Sequence, residues 1–265
     1  MSQTDPSTGY RVDTHVHLYP GTTAADMLDA AQANMRGKEG PVTGMLCLTE
    51  TATLSRFADL PAQERDWNIT STDEAVTQLA HHKDGSRIAI VAGRQIVTKE
   101  RLEVLALGMP APPSDGLSLD ETVADITEKQ ALAVLPWGVG KWMGDRGNHV
   151  ASLIDRRTAP REIFLADSAV RPRLWPRPSL LDQAEKAGWL CLAGSDPLPL
   201  RGDVARTGRY GIEVSAPFDP QTPFATFKTW LMEQTTSPKF YGRRDSTPGM
   251  VVNQILLRTP SRIKT

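Results

Sequence analysis

Two cysteines in 265 residues are too few for a disulfide framework. Cys47 and Cys191 each lie inside an apolar, strand-like run, which predicts buried thiols in a cytoplasmic protein. Charge of one sign is also missing: the formal net charge is -1, so no overall field points to nucleic acid or a membrane surface. Long hydrophobic runs are absent. One of the longest, Ala131–Pro136, falls far short of the roughly 20 residues that span a bilayer. The polar opening, with Pro6 and Gly9, has no basic start followed by an apolar stretch, so a signal peptide is not expected. No internal repeat and no low-complexity segment occurs. No glycine-rich phosphate loop follows the first strand, which removes the key feature of a Rossmann or P-loop reading.

What the chain does have is a 40% hydrophobic content and alternating strand-like and helix-like segments. Strands are predicted over 11–18, 42–49, 87–97, 101–107, 131–136, 162–166, 188–193 and 210–215. The run at 101–107 pairs with 87–97 as a hairpin, and 110–116 is a turn-rich loop. Helices are predicted over 24–35, capped by Thr23 with Asp26 three residues on, and over 71–81, opened by Ser71-Thr72-Asp73-Glu74. Further helices are expected over 118–129, 148–156, 180–187 and 224–234. About seven strand–helix units suggest an α/β protein whose strands close into a distorted (β/α)7 TIM-like barrel, with a doubly wound open sheet as the alternative. Residues 1–10 read as a flexible tail, 11–218 as the barrel, and 219–265 as a C-terminal helix and tail packing on it or trailing from it.

The densest chemistry lies at the start, in Asp13-Thr14-His15-Val16-His17. Side chains alternate along a strand, so Asp13, His15 and His17 share one face, and Val12, Thr14 and Val16 the other. Two imidazoles so placed can reach one divalent metal, with the Asp13 carboxylate beside them to orient a ring. In a barrel, chemistry gathers at the C-terminal strand ends. There stand His15 and His17, Glu50, Arg94 and Gln95, Leu135–Trp137, Asp167, Ser195 and Asp196.

From Val12 to about Tyr210 the order of motifs resembles the PHP family, the polymerase and histidinol phosphatase domains. Its His-x-His strand is kept as His15 and His17. Its Thr-Asp-His becomes Thr49-Glu50-Thr51, and its Gly-x-Glu becomes Gly93-Arg94-Gln95. A hairpin pattern like Glu-Ile-His-Leu-Leu-Gly becomes Glu103-Val104-Leu105-Ala106-Leu107-Gly108. The later His-Pro becomes Leu135-Pro136, and the closing Gly-Ser-Asp-Ala-His becomes Gly194-Ser195-Asp196-Pro197-Leu198. The resemblance implies a distorted seven-stranded barrel and hydrolysis of phosphoesters at two or three metal ions. Here four histidine positions and the bridging glutamate are Thr51, Leu105, Leu135, Leu198 and Gln95. A reduced site with one divalent ion (zinc, manganese or iron) is the expectation, held by His15, His17, Gln95 and Asp196. Glu50 or Asp167 would act as general base, and Arg94, Lys141 and Arg146 would hold a small anionic substrate.

A second reading is a catalytically degenerate domain that binds an anion or a protein through Arg94, Lys141, Arg171, Arg173 and Arg177. An amidohydrolase-like barrel also opens with His-x-His, but it needs histidines on its middle strands that this chain lacks. His81 and His82 read as a solvated helix end. His149 reads as exposed. The loop of Trp137, Gly138, Gly140 and Trp142 reads as a cover over the pocket or as packing at its mouth, and the basic tail as solvated.

Overall fold

Why thirteen short strands form among the described residues, and not a ring of strand–helix units, is visible in the residues themselves. The computed structural model describes residues 9–37, 40–109, 111, 113–156 and 162–246. The expected N-terminal tail before residue 9, Pro110 and Pro112 of the expected turn, and the tail beyond 246 lie outside the described residues.

Five α-helices lie among the described residues: α1 (Ala24–Met35), α2 (Leu119–Glu128), α3 (Asp145–Ile154), α4 (Ser179–Lys186) and α5 (Pro223–Met232). The predicted caps of the first two are present. Thr23 and Asp26 form a reciprocal capping box, and so do Ser118 and Glu121.

The first sheet holds eight strands: β1 (Tyr10–Val16), β2 (Thr43–Leu48), β3 (Gln63–Glu64), β4 (Trp67–Ser71), β5 (Thr77–His82), β6 (Arg87–Val91), β12 (Tyr210–Val214) and β13 (Phe240–Gly242). Their order is β13-β12-β1-β2-β6-β5-β4-β3. The second sheet holds β7 (Gly93–Val97), β8 (Glu103–Leu107), β9 (Leu132–Pro136), β10 (Ile163–Ser168) and β11 (Cys191–Gly194), in the order β11-β10-β9-β8-β7.

The expected (β/α)7 barrel is therefore not the fold. Both sheets are mixed: β1–β2, β2–β6, β9–β10 and β10–β11 are parallel, while β1–β12, β4–β5, β5–β6, β7–β8 and β8–β9 are antiparallel. The sheets do not close into a barrel.

Two local features depart from the expected strand–helix pattern. The stretch 71–81 is not a helix; it completes the β4–β5 hairpin, and His81 and His82 lie on β5. Glu74, read as the acid of a capping box, instead accepts bonds from the backbone N–H groups of Phe224 (2.9 Å) and Ala225 (2.7 Å). It caps α5, which has no side-chain cap of its own. The run 87–97 is two strands. It breaks at Ala92, leaving β6 in the first sheet and β7 in the second. Gly93 permits the crossing: a Cβ there would lie 2.4 Å from the Leu48 carbonyl oxygen and 2.6 Å from that of Ala106. The predicted β7–β8 hairpin forms.

The main core lies between the sheets. Val12, Met45, Cys47, Ala89 and Val91 of the first face Leu105, Leu107, Val134, Phe164 and Leu192 of the second, and α5 adds Phe224, Phe227 and Leu231. Helix α1 covers the outer side of the first sheet with Met27, Leu28, Ala31 and Met35, the stripe expected from sequence. Helices α2, α3 and α4 cover the second. Both cysteines are free and buried. No helix among the described residues is long and apolar enough to cross a membrane.

Candidate metal centre at the seam of the sheets

The ends of the second sheet meet the first at two places, and the candidate site lies between them. On one side Thr14 donates to the Ala193 carbonyl (3.0 Å) and the Asp196 N–H donates to the His15 carbonyl (2.9 Å). On the other, the Glu50 N–H donates to the Gly93 carbonyl (3.1 Å) and the Gln95 N–H to the Glu50 carbonyl (2.8 Å). Gly194 lets β11 approach β1 this closely; a Cβ there would sit 2.4 Å from the His15 Cβ and 2.7 Å from the His15 nitrogen.

Within this seam His15 Nε2 and His17 Nε2 are 3.0 Å apart. Asp196 Oδ1 lies 3.5 Å from the first and 3.7 Å from the second. Gln95 Oε1 is 3.1 Å from His15 Nε2. The ligand atoms of His15, His17 and Asp196 all fall within 4.8 Å of one another, and all three residues are buried. Two donors held about 2.0–2.1 Å from one tetrahedral ion lie about 3.3 Å apart, so the spacing and the donor types both fit a divalent metal. Ser168, at the end of β10, donates to Asp196 Oδ2 (3.2 Å) and orients it. Asp196 itself has φ 49°, a left-handed conformation that aspartate tolerates better than most residues.

The electrostatics suit ligation. Burial and the neighbouring His15 push the His17 pKa down to about 3, so its ring is neutral at pH 7. Burial works against an ionised Asp196, but attraction to His15 and Lys141 and the hydrogen bond from the Ser168 hydroxyl outweigh it and bring its pKa below the usual carboxylate value. A neutral His17 imidazole and an ionised Asp196 carboxylate are in the states that bind metal. The Nδ1 of His17 is buried with no hydrogen-bond partner among the described residues, so His17 lacks the outer partner that commonly fixes a ligating ring.

Asp13 does not orient a ring. Its carboxylate accepts the backbone N–H groups of His15 (3.2 Å), Ser195 (2.8 Å) and Gly208 (2.8 Å), and the Ser195 hydroxyl as well. The simple alternation along β1 also fails. The β1–β2 register shifts between Asp13 and Val16, so Val12 enters the inter-sheet core and Val16 packs under α1.

The other expected site residues are placed as follows. Glu50 Oε1 accepts the N–H groups of Arg56 and Phe57 (2.8 Å to Phe57), and burial raises its pKa. Asp167 is buried in an ion pair with Arg171, at 2.8 Å and 2.5 Å, and accepts the Tyr210 hydroxyl at 3.0 Å. Consecutive strand residues point to opposite faces, so Ser168 reaches Asp196 while Asp167 turns away. Arg94 pairs with Asp115 (3.3 Å). Lys141 pairs with Glu103, yet its charge is felt at His17 and Asp196. Arg146 donates to the Gly140 carbonyl (2.6 Å). Ser168, Tyr19 and Arg201 were not expected from sequence. Tyr19 stands beside His17, their ring centroids 5.2 Å apart.

Fold and site together define an α/β protein of two mixed sheets with a two-histidine, one-aspartate cluster at their seam. No family model matches the chain, and no curated protein matches it. Its structure is similar to that of PsfC from Pseudomonas syringae PB-5123, with a TM-score of 0.58 at 17% identity over 95% of this chain and 98% of that one. A lesion-specific endonuclease, PfuEndoQ from Pyrococcus furiosus, matches over 84% of this chain and 55% of that one, with a TM-score of 0.47 at 11% identity. The likeness to PsfC is one of fold.

Proposed function

We propose that this chain is a metal-dependent hydrolase of a phosphoester or similar anionic small molecule, working with one divalent ion. The observation that carries the reading is the convergence of His15, His17 and Asp196 within 4.8 Å at a buried seam. Three protein ligands with an open fourth position are the donor count of a catalytic zinc site. An ion held by these residues would supply Lewis acidity and, at a catalytic zinc, a water nucleophile near neutral pH.

The chain's own groups then have separable tasks. His15, His17 and Asp196 hold the ion, and Gln95 offers a neutral oxygen beside His15. Glu50 suits the role of general base better than Asp167, since burial raises its pKa. Both oxygens of Asp167 are already engaged by Arg171, and one also by Tyr210. Lys141, whose charge reaches the cluster, favours an anionic group, with Arg146 tethering the Lys141 loop, while Arg94 is held by Asp115 and alternates to the other face from Gln95. The order of motifs resembling the PHP family supports a phosphoester as the substrate class. Free, buried cysteines suit a reducing compartment such as the cytoplasm.

The test is metal content and its thermodynamic echo. The purified protein is expected to hold about one zinc, manganese or iron ion by elemental analysis and to cleave a generic aryl phosphate. Saturating metal, at about 100 times Kd, raises stability by about 2.7 kcal/mol in thermal melts. His15→Ala abolishes the metal, the activity and the stability gain together. A folded protein that takes up none of the three metals defeats the reading and favours the degenerate binding domain.

A further inference from the structure

We infer that the cleft beside His17 is a subsite for a second anionic group on a small substrate, with Arg201 as the residue that selects it. The inference deepens the hydrolase reading, on which it rests for the reaction, but its binding test stands apart from that reading. The chain after β1 and the chain after β11 enclose a cleft of about 140 Å³, lined by His17, Tyr19 to Thr22 and the stretch from Pro197 to Gly202. His17 belongs to both places: its Nε2 joins the candidate metal cluster and its side chain lines the cleft. A molecule seated in the cleft therefore lies against the reacting centre.

The lining chooses the ligand. Pro20, Pro197, Leu198, Pro199 and Leu200 present an apolar wall, stiffened by three rings of fixed φ. The lip is anchored: the Leu198 N–H donates to Asp203 (2.5 Å), Asp203 pairs with Arg206 (2.6 Å), and Arg206 pairs with Asp245 (2.6 Å). Its neighbours Arg206 and Arg209 both have acids. Arg201 is exposed at the cleft, and its side chain makes no hydrogen bond or ion pair among the described residues. A slot whose lining is as polar as it is apolar, with a free guanidinium, suits a short carbon body ending in a carboxylate or phosphate. The size sets a limit. Pockets for drug-sized ligands start at about 300 Å³, so the cleft matches a body of a few carbons better than a nucleoside.

The experiment is isothermal titration of the full chain, zinc-loaded and EDTA-treated, with phosphoglycolate and ethyl phosphate as probes. Zinc-loaded wild type is expected to bind phosphoglycolate about tenfold more tightly than ethyl phosphate. In Arg201→Ala the ratio falls to within about twofold, Arg201→Lys restores most of it, and Leu200→Trp, which fills the slot, weakens phosphoglycolate about tenfold. Ethanediol bisphosphate in place of phosphoglycolate distinguishes a phosphate from a carboxylate as the second anion. Equal affinity for the two probes in wild type, a preference that survives in Arg201→Ala, or adenosine monophosphate binding as tightly as phosphoglycolate overturns the subsite. An Arg201-dependent preference in protein that takes up no metal supports the subsite while removing the hydrolase. A metal-dependent phosphatase without the preference does the reverse.

Discussion

Two buried acidic clusters stand one residue apart on β10, and they are built to opposite ends. Asp167 is closed: Arg171 grips both oxygens, Tyr210 donates to one of them, and the charges cancel. Ser168 leads to the other cluster, where Asp196 lies near two imidazoles whose Nε2 atoms face each other across 3.0 Å. There no arginine or lysine among the described residues makes a salt bridge to the Asp196 carboxylate. Buried polar groups with every bond made hold a fold together, whereas convergent donors with unused valence define a place for a ligand.

That contrast can be broken most forcefully at Asp167. Asp167→Ala leaves Arg171 buried without its counter-charge and is expected to cost about 3–5 kcal/mol in urea denaturation. Zinc bound per folded molecule should stay at the wild-type level; zinc lost from folded protein would show that the clusters are one unit. A smaller effect is expected at Gly194, where a Cβ would fall 2.4 Å from that of His15. Gly194→Ala should destabilise by about 1–3 kcal/mol through overpacking and also weaken zinc binding, since it pushes β11 off the histidine strand. Smallest is Ser168→Ala, at about 1 kcal/mol of stability. Its sharper readout is zinc affinity, expected to fall about tenfold as Asp196 loses its orienting bond. Unchanged affinity would mean that the backbone alone aims the carboxylate.

The candidate cluster was more legible in the sequence than the fold that carries it. His15, His17, Gln95 and Asp196 are chemically conspicuous, and their strand ends could be counted from hydrophobic runs. Ser168 was hidden beside Asp167, because a strand end does not declare which of two polar neighbours faces inward. The architecture depended on choices that local sequence leaves open. Glu74 sits where a capping acid belongs, yet the helix it caps begins about 150 residues later. Ala92-Gly93 looked like the middle of one strand, and only the close passage of the Leu48 and Ala106 carbonyls explains the bend there. The short β13, three residues pairing with β12, has too little pattern to be read in advance.

Asp13 carries a consequence for how the molecule is made. Its carboxylate gathers N–H groups from residues 182 and 195 positions further along the chain. Contacts of such span form late, after local helices and hairpins. During synthesis the two histidines emerge early and wait for β11 and the turn before β12 to arrive. A nascent chain stopped before Gly208 already holds all four candidate ligands and lacks only the last N–H group of the Asp13 clamp, so the seam closes fully only late in folding.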